Sequence, residues 1–590
     1  MRWIKMLKDR VTGLTDAVTR FPLTTVYLLA AAIINAYDIN TEKSISKLLL
    51  TFLIGAFLSA VSQVAYERFF SKVSSRFTLM GLVVLLTACY GLIIRPAPKL
   101  SMEIEIRTAV ALFALLIAFI WVPVIKSKVN FNKSFMIAFK SFFNSIFFSG
   151  VIFAGISIIL TAINLLIFAV NYRAYPHMAN LIFVLFAPMY FLSLIPEYPG
   201  AKNLENTQQI EKVNTVSKCP KFLQILISYI IIPLVAVFTL ILVIYIIKNI
   251  NGTFWSDNLL EPMLVSYAIA VILVYILASE IENKFTVLFR KIFPKILVPI
   301  VLFQITASIL NSADTGITHT RYYVILFGFY AAAAGVLLSF LPIRKNGVIA
   351  ALLIVFATVS IVPPVDAFTI SRSSQTQTLK NVLEKNHMLK DNQIKPNGSI
   401  SNNDKKTITN AVYYLNRMEY TKNIKWLPQK FNADTDFYRT FGFKEYYQGQ
   451  GSLDQSVYLG LKQSVPIPIS GFDTLVQTEI NSLDKGSEGT ICVIEKRGAT
   501  YTLQRAFANG HIDLNLVGAN NQKLISFSTQ EIFNRFSSYQ SMKGQISVKE
   551  ATFTTENARA KMTVIVQNVG IEKQGNPTSN ALLFVFIQIK

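Results

Sequence analysis

The sequence predicts a polytopic α-helical membrane protein, with about 11 transmembrane helices, followed by a C-terminal α+β domain containing an antiparallel sheet. Three observations predict it. Of 590 residues, 52% are hydrophobic and only 15% charged, whereas soluble domains carry about 25% charged residues. Apolar runs close to the ~20 residues needed to cross a bilayer recur through the first 363 positions. Beyond them the pattern turns amphipathic, first with a helical period and then with a period of two. The chain has 26 Gly, 21 Pro and 3 Cys, which excludes collagen-like and disulfide-stapled scaffolds.

Eleven runs qualify as spans: 21–37, 48–66, 78–94, 108–124, 142–170, 181–195, 222–247, 262–279, 296–310, 322–340 and 348–363. The fifth is too long for one crossing, and Asn164 is expected to mark a break or a shift of register within it. The net charge of +22 divides as 30 Lys/Arg against 15 Asp/Glu in residues 1–363 and 26 against 19 in 364–590. The larger excess therefore lies between the spans. With the N-terminus placed in the cytoplasm, the inside segments hold 22 Lys/Arg and the outside loops 8, while acidic residues split 8 and 7. Lys and Arg resist translocation and Asp and Glu matter little. The expectation is a multi-pass protein of the cell membrane with a cytoplasmic N-terminus and, after an odd number of spans, an extracytoplasmic C-terminal domain. The first run follows a basic segment without a clear small-residue cleavage site and reads as a retained anchor. Cys89, Cys219 and Cys492 fall in a span, inside and outside, so no two are placed to pair.

Four regions follow: a cytoplasmic segment 1–20, a membrane domain 21–363, a linker 364–378 and the α+β domain 379–590. Within the membrane domain, Phe131, Phe135, Phe139 and Phe142 recur at helical steps flanked by Lys133 and Lys140. Such a segment lies in the membrane interface with its lysines toward headgroups, or simply begins the fifth span. The longest inside loop, 196–221, opens with Pro196, Pro199 and Gly200 and reads as a mobile connector. The spans end at Pro363 and Pro364, and Ser371 to Thr378 reads as a polar spacer. Leu379, Val382, Leu383 and Met388 make a helical stripe in 376–389. A second helix starts near Asn403 and buries Ile408, Val412 and Leu415. From about 490 strands are expected at 491–495, 501–507 and 511–516. Asn509 and Gly510 form a hairpin signal between the last two. A helix opens at Ser528 to Glu531 in a capping-box pattern. Strands resume at 545–553, 560–568 and 581–590, the last apolar enough to be central.

Four places then carry a resemblance: Arg20, Phe21 and Pro22 opening the first span; Tyr229 to Leu234 with Pro233; Thr315 to Tyr323, a Gly-Ile-Thr stretch leading to Arg321 and Tyr322; and the exit from Pro363 through Ser371 to Gln375, with Leu389 to Asp391 beyond. Over nearly its whole length the chain resembles a family of uncharacterised multi-spanning bacterial membrane proteins, defined as a domain of unknown function. The family commonly has an acidic or amide residue before the Arg-Tyr pair, where this chain has His319 and Thr320. The resemblance implies architecture; it brings no activity, substrate or cofactor.

Chemistry-bearing motifs are sparse. No His-Glu-x-x-His, Cys-x-x-Cys, phosphate-cradling Gly-x4-Gly-Lys-Ser/Thr or Gly-x-Ser-x-Gly occurs, and no cofactor is expected. Ser487, between Gly486 and Gly489, reads as turn chemistry. The expected spans hold no Asp, Glu, Lys, Arg or His, so Asn35, Gln63, Asn164 and Gln304 are the candidate polar intramembrane groups. They serve helix–helix hydrogen bonds or line a polar pocket. Pro188, Pro233 and Pro299 can kink spans six, seven and nine. The loop 311–323 gathers Asn311, Asp314, His319, Arg321, Tyr322 and Tyr323 at the outer interface. It is the candidate ligand or docking loop, set against the plainer reading of a tyrosine belt with a snorkelling arginine. The leading functional expectation is a non-enzymatic membrane protein presenting its outer domain to an envelope protein or anionic wall polymer. A transporter or lipid flippase is the first alternative. The second is an envelope glycolipid-modifying enzyme using Glu103, Glu105, Asp314 and His319. Nucleic acid is not an expected partner, because the large soluble domain faces away from the cytoplasm.

Overall fold

The computed structural model describes residues 12–41, 46–97, 100–200, 207–249, 261–428, 431–446, 457–462, 464–481, 489–508, 511–537, 543–572 and 578–590. Asn509, Gly510 and Ser487 lie outside these residues, as does the side chain of Asp314. The chain forms two compact units, Met1–Phe443 and Lys444–Lys590.

In the first unit, ten helices among the described residues are long and apolar enough to cross a membrane. They are α1 (Pro22–Thr41), α2 (Ser46–Phe69), α3 (Val73–Ile94), α4 (Met102–Val124), α5 (Phe131–Leu166), α6 (Ala174–Ser193), α8 (Lys221–Lys248), α10 (Lys284–Ala313), α11 (His319–Phe340) and α12 (Ile343–Ile361). Between α8 and α10, α9 (Glu261–Leu277) is apolar but shorter. Each of the eleven expected runs thus forms a helix, because hydrocarbon leaves a spanning backbone no partner but itself. Most start earlier than the runs suggest, since charged residues such as Glu103 and Lys284 belong to the first turns.

The fifth run departs most from expectation. Asn130 caps α5 by accepting from the Lys133 amide, and the helix then runs without a break for 36 residues, about 54 Å. Phe131, Met136 and Ile137 are buried, so the phenylalanine segment begins this span inside the protein and does not lie flat on a membrane. Asn164 closes the helix: its side chain accepts from the Val170 amide. Lys133 donates to Asn214 and Lys140 to the carbonyls of Val216 and Lys218. Both therefore hold the helix α7 (Thr207–Ser217), with Lys140 at its carbonyl-rich C-terminus. Val213 of α7 is fully buried. The connector thus contains a packed helix.

The prolines of spans six and seven act locally. Pro188 and Pro233 cannot donate to the carbonyls four residues back. In front of each, Asn180–Phe186 and Leu226–Ile231 widen to π-helix, with Ala187 donating to Ile182 and Ile232 to Ile227. The widened turns re-pair backbone that would otherwise face lipid unsatisfied.

Hydrogen bonds sort the connecting segments into two ends. At one, Arg20 reaches Ile195, Arg68 reaches Ile125, Lys126 and Pro199, Asn130 reaches Glu280, and Asn132 reaches Ile343. At the other, Lys47 reaches Ala97, His177 reaches Asn40, and Arg107 reaches Ile361. The first group contains the segments rich in Lys and Arg, so the alternation read from charge matches the path of the chain.

After α12, Asp366 caps α13 (Ala367–Lys385) by accepting from the Phe368 and Thr369 amides. The stretch 371–378 is therefore helical and not a spacer. A two-stranded hairpin, β1 (Leu389–Lys390) with β2 (Gln393–Ile394), follows α13; Ser401, ahead of Asn403, then caps α14 (Asn402–Arg417), whose Ile408, Val412 and Leu415 are buried as the pattern predicts. With α15 (Ala433–Phe441) these helices form a core containing Phe368, Leu379, Leu383, Phe437 and Phe441, against which Met102, Ile106, Tyr322 and Tyr323 pack.

The second unit holds two sheets around one core. A four-stranded sheet runs β5 (Gly489–Lys496), β6 (Ala499–Ala508), β7 (His511–Val517) and β8 (Lys523–Ser528). The other has the order β4 (Thr474–Asn481), β12 (Thr578–Ile589), β11 (Ala560–Glu572), β3 (Val457–Leu461) and β9 (Lys543–Ile546), with β10 (Thr552–Glu556) also on β11. All pairings are antiparallel except β3 with β9. β12 is central, as its apolar composition predicts. The expected strand 545–553 is split by a helical turn at Val548–Ala551, which Ser547 and Glu550 cap reciprocally. β3, β4 and β8 are additions to the expected set.

Candidate functional site

The loop between α10 and α11 is built by two local devices. Gly316 ends α10 with φ +73°, and a Cβ there would meet Thr378 Oγ1 at 2.6 Å and Gln375 Nε2 at 2.7 Å. Thr318 then caps α11 by accepting from the Arg321 amide. Both Gly316 contacts belong to α13, so the loop lies directly against it. Gln375 Nε2 donates to the Thr315 carbonyl (3.1 Å), and the Ile317 amide donates to Ser374 Oγ (2.8 Å).

The candidate residues of this loop take different roles. His319 Nδ1 and the Tyr414 hydroxyl are 3.0 Å apart, and that hydroxyl donates to Ser371 Oγ at 2.9 Å. The His319 ring stacks on Phe368, centroids 5.7 Å apart. Tyr322 donates to the Val365 carbonyl (2.5 Å), and Tyr323 packs into the α13–α15 core. Arg321 turns back onto its own loop, donating to the Asn311 carbonyl and to Thr315 Oγ1.

Beside them, Arg107 bridges two carboxylates, Asp366 Oδ1 at 2.6 Å and Glu103 Oε1 at 2.8 Å, with its guanidinium 5.0 Å over the Phe368 ring. Tyr420 donates to Glu103 Oε2 at 2.9 Å. Burial and Glu103 raise the Tyr420 hydroxyl well above the usual phenol range, so it stays a donor. Burial disfavours the Asp366 carboxylate, but bonds from Thr369 and Phe368 and the charge of Arg107 outweigh it and lower its pKa. Glu105 is exposed. At this end charge-assisted bonds join the apolar bundle to the α13–α15 layer.

The four polar span residues also separate. Asn35 donates to Asn180 Oδ1 (2.9 Å), and Asn180 in turn to the Ala32 carbonyl (2.7 Å), tying α1 to α6. Gln304 is 1% exposed and reaches the Val324 carbonyl. Asn164 closes α5. Gln63 lines a cavity.

That space is a cleft at the Lys/Arg-rich end. Arg20 grips Glu67 through Nε and Nη2 at 2.9 and 2.8 Å and donates to the Ile195 carbonyl (2.7 Å). Gln63 donates to Glu67 (2.9 Å) and accepts from Arg76 (3.1 Å), whose guanidinium also reaches the Arg20 carbonyl (2.8 Å). Burial works against the Arg20 charge, but Glu67 outweighs it and raises the Arg20 pKa. A cavity of about 590 Å³ opens here between α2, α6 and α7. A second of about 170 Å³ adjoins it at Glu67 and Glu197. Its wall includes Tyr198, whose hydroxyl pKa burial pushes up to about 12. Gly200 closes the wall where only glycine fits, since a Cβ would fall 2.0 Å from the Glu67 carbonyl oxygen. The sequence signal for this cleft was thin: Arg20, Glu67, Arg76 and Glu197 each stand just outside an apolar run, on three separate segments.

Among the described residues no group of three His, Cys, Asp or Glu side chains is placed to hold a metal ion. Residues 23–398 match the family described as a domain of unknown function, DUF4153. The chain belongs to the DUF4153 family. No curated protein and no solved structure matches it. The DUF4153 match takes in all eleven apolar helices, the loop between α10 and α11, α13 and the cleft residues from Gln63 to Lys212. Arg20 stands just before the match, and the β unit lies beyond it. What DUF4153 defines here is thus the bundle together with the helix that leaves it.

Proposed function

We propose that this DUF4153 protein is a non-enzymatic anchor of the cell membrane. Its N-terminus is cytoplasmic, and α13–α15 and the β unit are held outside for an envelope partner. The observation that carries this reading is the double docking of α13 and α14, through Arg107 with Asp366 and through His319 with Tyr414. A bundle that only crossed the membrane has no use for such a grip; one that presents a domain does. The orientation rests on the Lys/Arg excess at the opposite end. Assigning the β unit to that side too is supported by the described residues after α13, which form no helix long and apolar enough to cross a membrane.

Charge favours an envelope protein over an anionic wall polymer as the β unit's partner. Residues 444–590 hold 14 Lys/Arg against 12 Asp/Glu, whereas 364–443 hold 12 against 7. A polymer would therefore meet the helical layer first. The test is a photo-crosslinking side chain at Val493, exposed on β5, in living cells. A discrete adduct that persists in cells treated to remove wall polymer supports the reading; no adduct at Val493 or at exposed Leu475 overturns it.

One observation favours transport or lipid flipping as a second reading: the cleft reaches Gln63, within the second span. Asn35 and Gln304, spent on neighbouring helices, do not extend it. The glycolipid-modifying alternative gains nothing, because Arg107 and Tyr420 occupy Glu103, and Tyr414 occupies His319.

A further inference from the structure

The two chambers of the cleft differ in what they offer a ligand. The smaller, about 170 Å³, is lined by the rings of Tyr66, Phe70 and Tyr198 and the carboxylates of Glu67 and Glu197, with no basic side chain. Aromatic faces and carboxylates together attract an organic ammonium group. The larger, about 590 Å³, shares Glu67 and Glu197 but adds Arg76 and Lys212. Arg20 is already committed to Glu67, whereas Glu197 and Lys212 are exposed at the opening.

Taken together the lining is balanced: Asp16, Glu67 and Glu197 against Arg20, Arg76 and Lys212. A simple anion entering the cleft meets three carboxylates, and a simple cation meets three basic groups. A molecule carrying both charges meets each where it is wanted. Exposed Phe69, Phe70, Val73 and Phe77, at the junction of α2 and α3, put an apolar surface beside the opening.

We propose that this cleft binds a phosphoammonium zwitterion of the phosphoethanolamine type, its ammonium group among Tyr66, Phe70, Tyr198 and Glu197 and its phosphate on Arg76 and Lys212. The ligand is a phospholipid headgroup or the free phosphoalcohol. Both present the same chemistry to the site, and the inference holds whichever face of the membrane the cleft occupies.

The experiment uses the full-length protein in phosphatidylglycerol nanodiscs and measures binding of four probes: phosphoethanolamine, glycerol phosphate, ethanolamine and lysophosphatidylethanolamine. Phosphoethanolamine is expected to bind at least tenfold more tightly than glycerol phosphate or ethanolamine. Glu197→Gln removes its preference over glycerol phosphate, and Lys212→Ala its preference over ethanolamine. Each costs about tenfold in affinity, ~1.4 kcal/mol. Both side chains are exposed, so an unchanged thermal midpoint shows that the variants remain folded. Tighter binding of the lyso-lipid than of phosphoethanolamine identifies a lipid headgroup; equal binding identifies the free compound. Equal affinity for phosphoethanolamine, glycerol phosphate and ethanolamine, no binding, or wild-type affinity in both variants overturns the proposal.

Discussion

Replacing Asp366 by Ala strikes the docked layer at its most buried charge. The side chain of Asp366 is fully buried, accepts from the Phe368 and Thr369 amides at 3.0 and 3.2 Å, and receives Arg107 at 2.6 Å. Losing the cap costs about 1 kcal/mol. Stripping a buried ion of its partner costs about 3–5 kcal/mol. Arg107 keeps Glu103 and is 23% exposed, so a value below that range applies, about 2 kcal/mol, and the sum is about 3 kcal/mol, on the order of 100-fold in the docking equilibrium. Hydrogen exchange of the full-length protein in nanodiscs reads this directly. Amides of α13 and α14 are expected to exchange about 100-fold faster, while those of α10 and α11 hold their protection. Asp366→Asn, which keeps an acceptor for the cap, is expected to fall between. Unchanged exchange in α13, or an equal loss across the spans, would refute the reasoning. The pH dependence has a definite sign. Because the folded carboxyl titrates below its ordinary value, its contribution is fully present above the unfolded pKa, near 4, and is lost only as pH falls through the lower folded value. Docking in the wild type is therefore level from neutral pH down to about 4 and weakens below it.

Three further outcomes are expected. Gly200→Ala drives a Cβ onto the Glu67 carbonyl oxygen, 2.0 Å away, and should lower the thermal midpoint of the detergent-solubilised protein by several degrees; an unchanged midpoint contradicts the close approach. Asn35→Ala and Asn180→Ala should each cost about 0.6 kcal/mol, with a coupling of similar size in the double variant; additive effects would mean that the side chains do not meet. Leu583→Ala, at a fully buried position of β12, should cost about 2–5 kcal/mol and lower the urea midpoint for pulse proteolysis of the β unit, leaving α13 exchange untouched.

The spans were legible because each had to satisfy its own backbone in hydrocarbon, which leaves a continuous apolar run as the only solution. Their ends were not, because Glu103, Lys284 and Lys133 are content in a helix once it clears the acyl chains. Pro188 and Pro233 announced irregularity, but nothing in the local pattern says that a π-turn will absorb it. The periodicity around Leu379 and Ile408 gave helices and their buried faces. It could not give what they pack on, since Arg107 and Asp366 stand 259 residues apart. His319 and Arg321 were legible as a candidate docking pair by residue type alone; Tyr414, the partner of His319, carried no signal, and Arg321 turns back onto its own loop. β3, only five residues long, and β4 preceded the stretch where alternation becomes regular, and pairing with β11 and β12 supplies what their own pattern lacks.

The most direct measurement for the anchor account is which side of the membrane holds the β unit. With Cys89, Cys219 and Cys492 replaced by Ser, a single cysteine at Arg497, in the turn between β5 and β6, is treated with a membrane-impermeant maleimide on intact cells. The account predicts labelling without lysis, equal to that after lysis. Labelling only once the membrane is opened would place the β unit in the cytoplasm and contradict it.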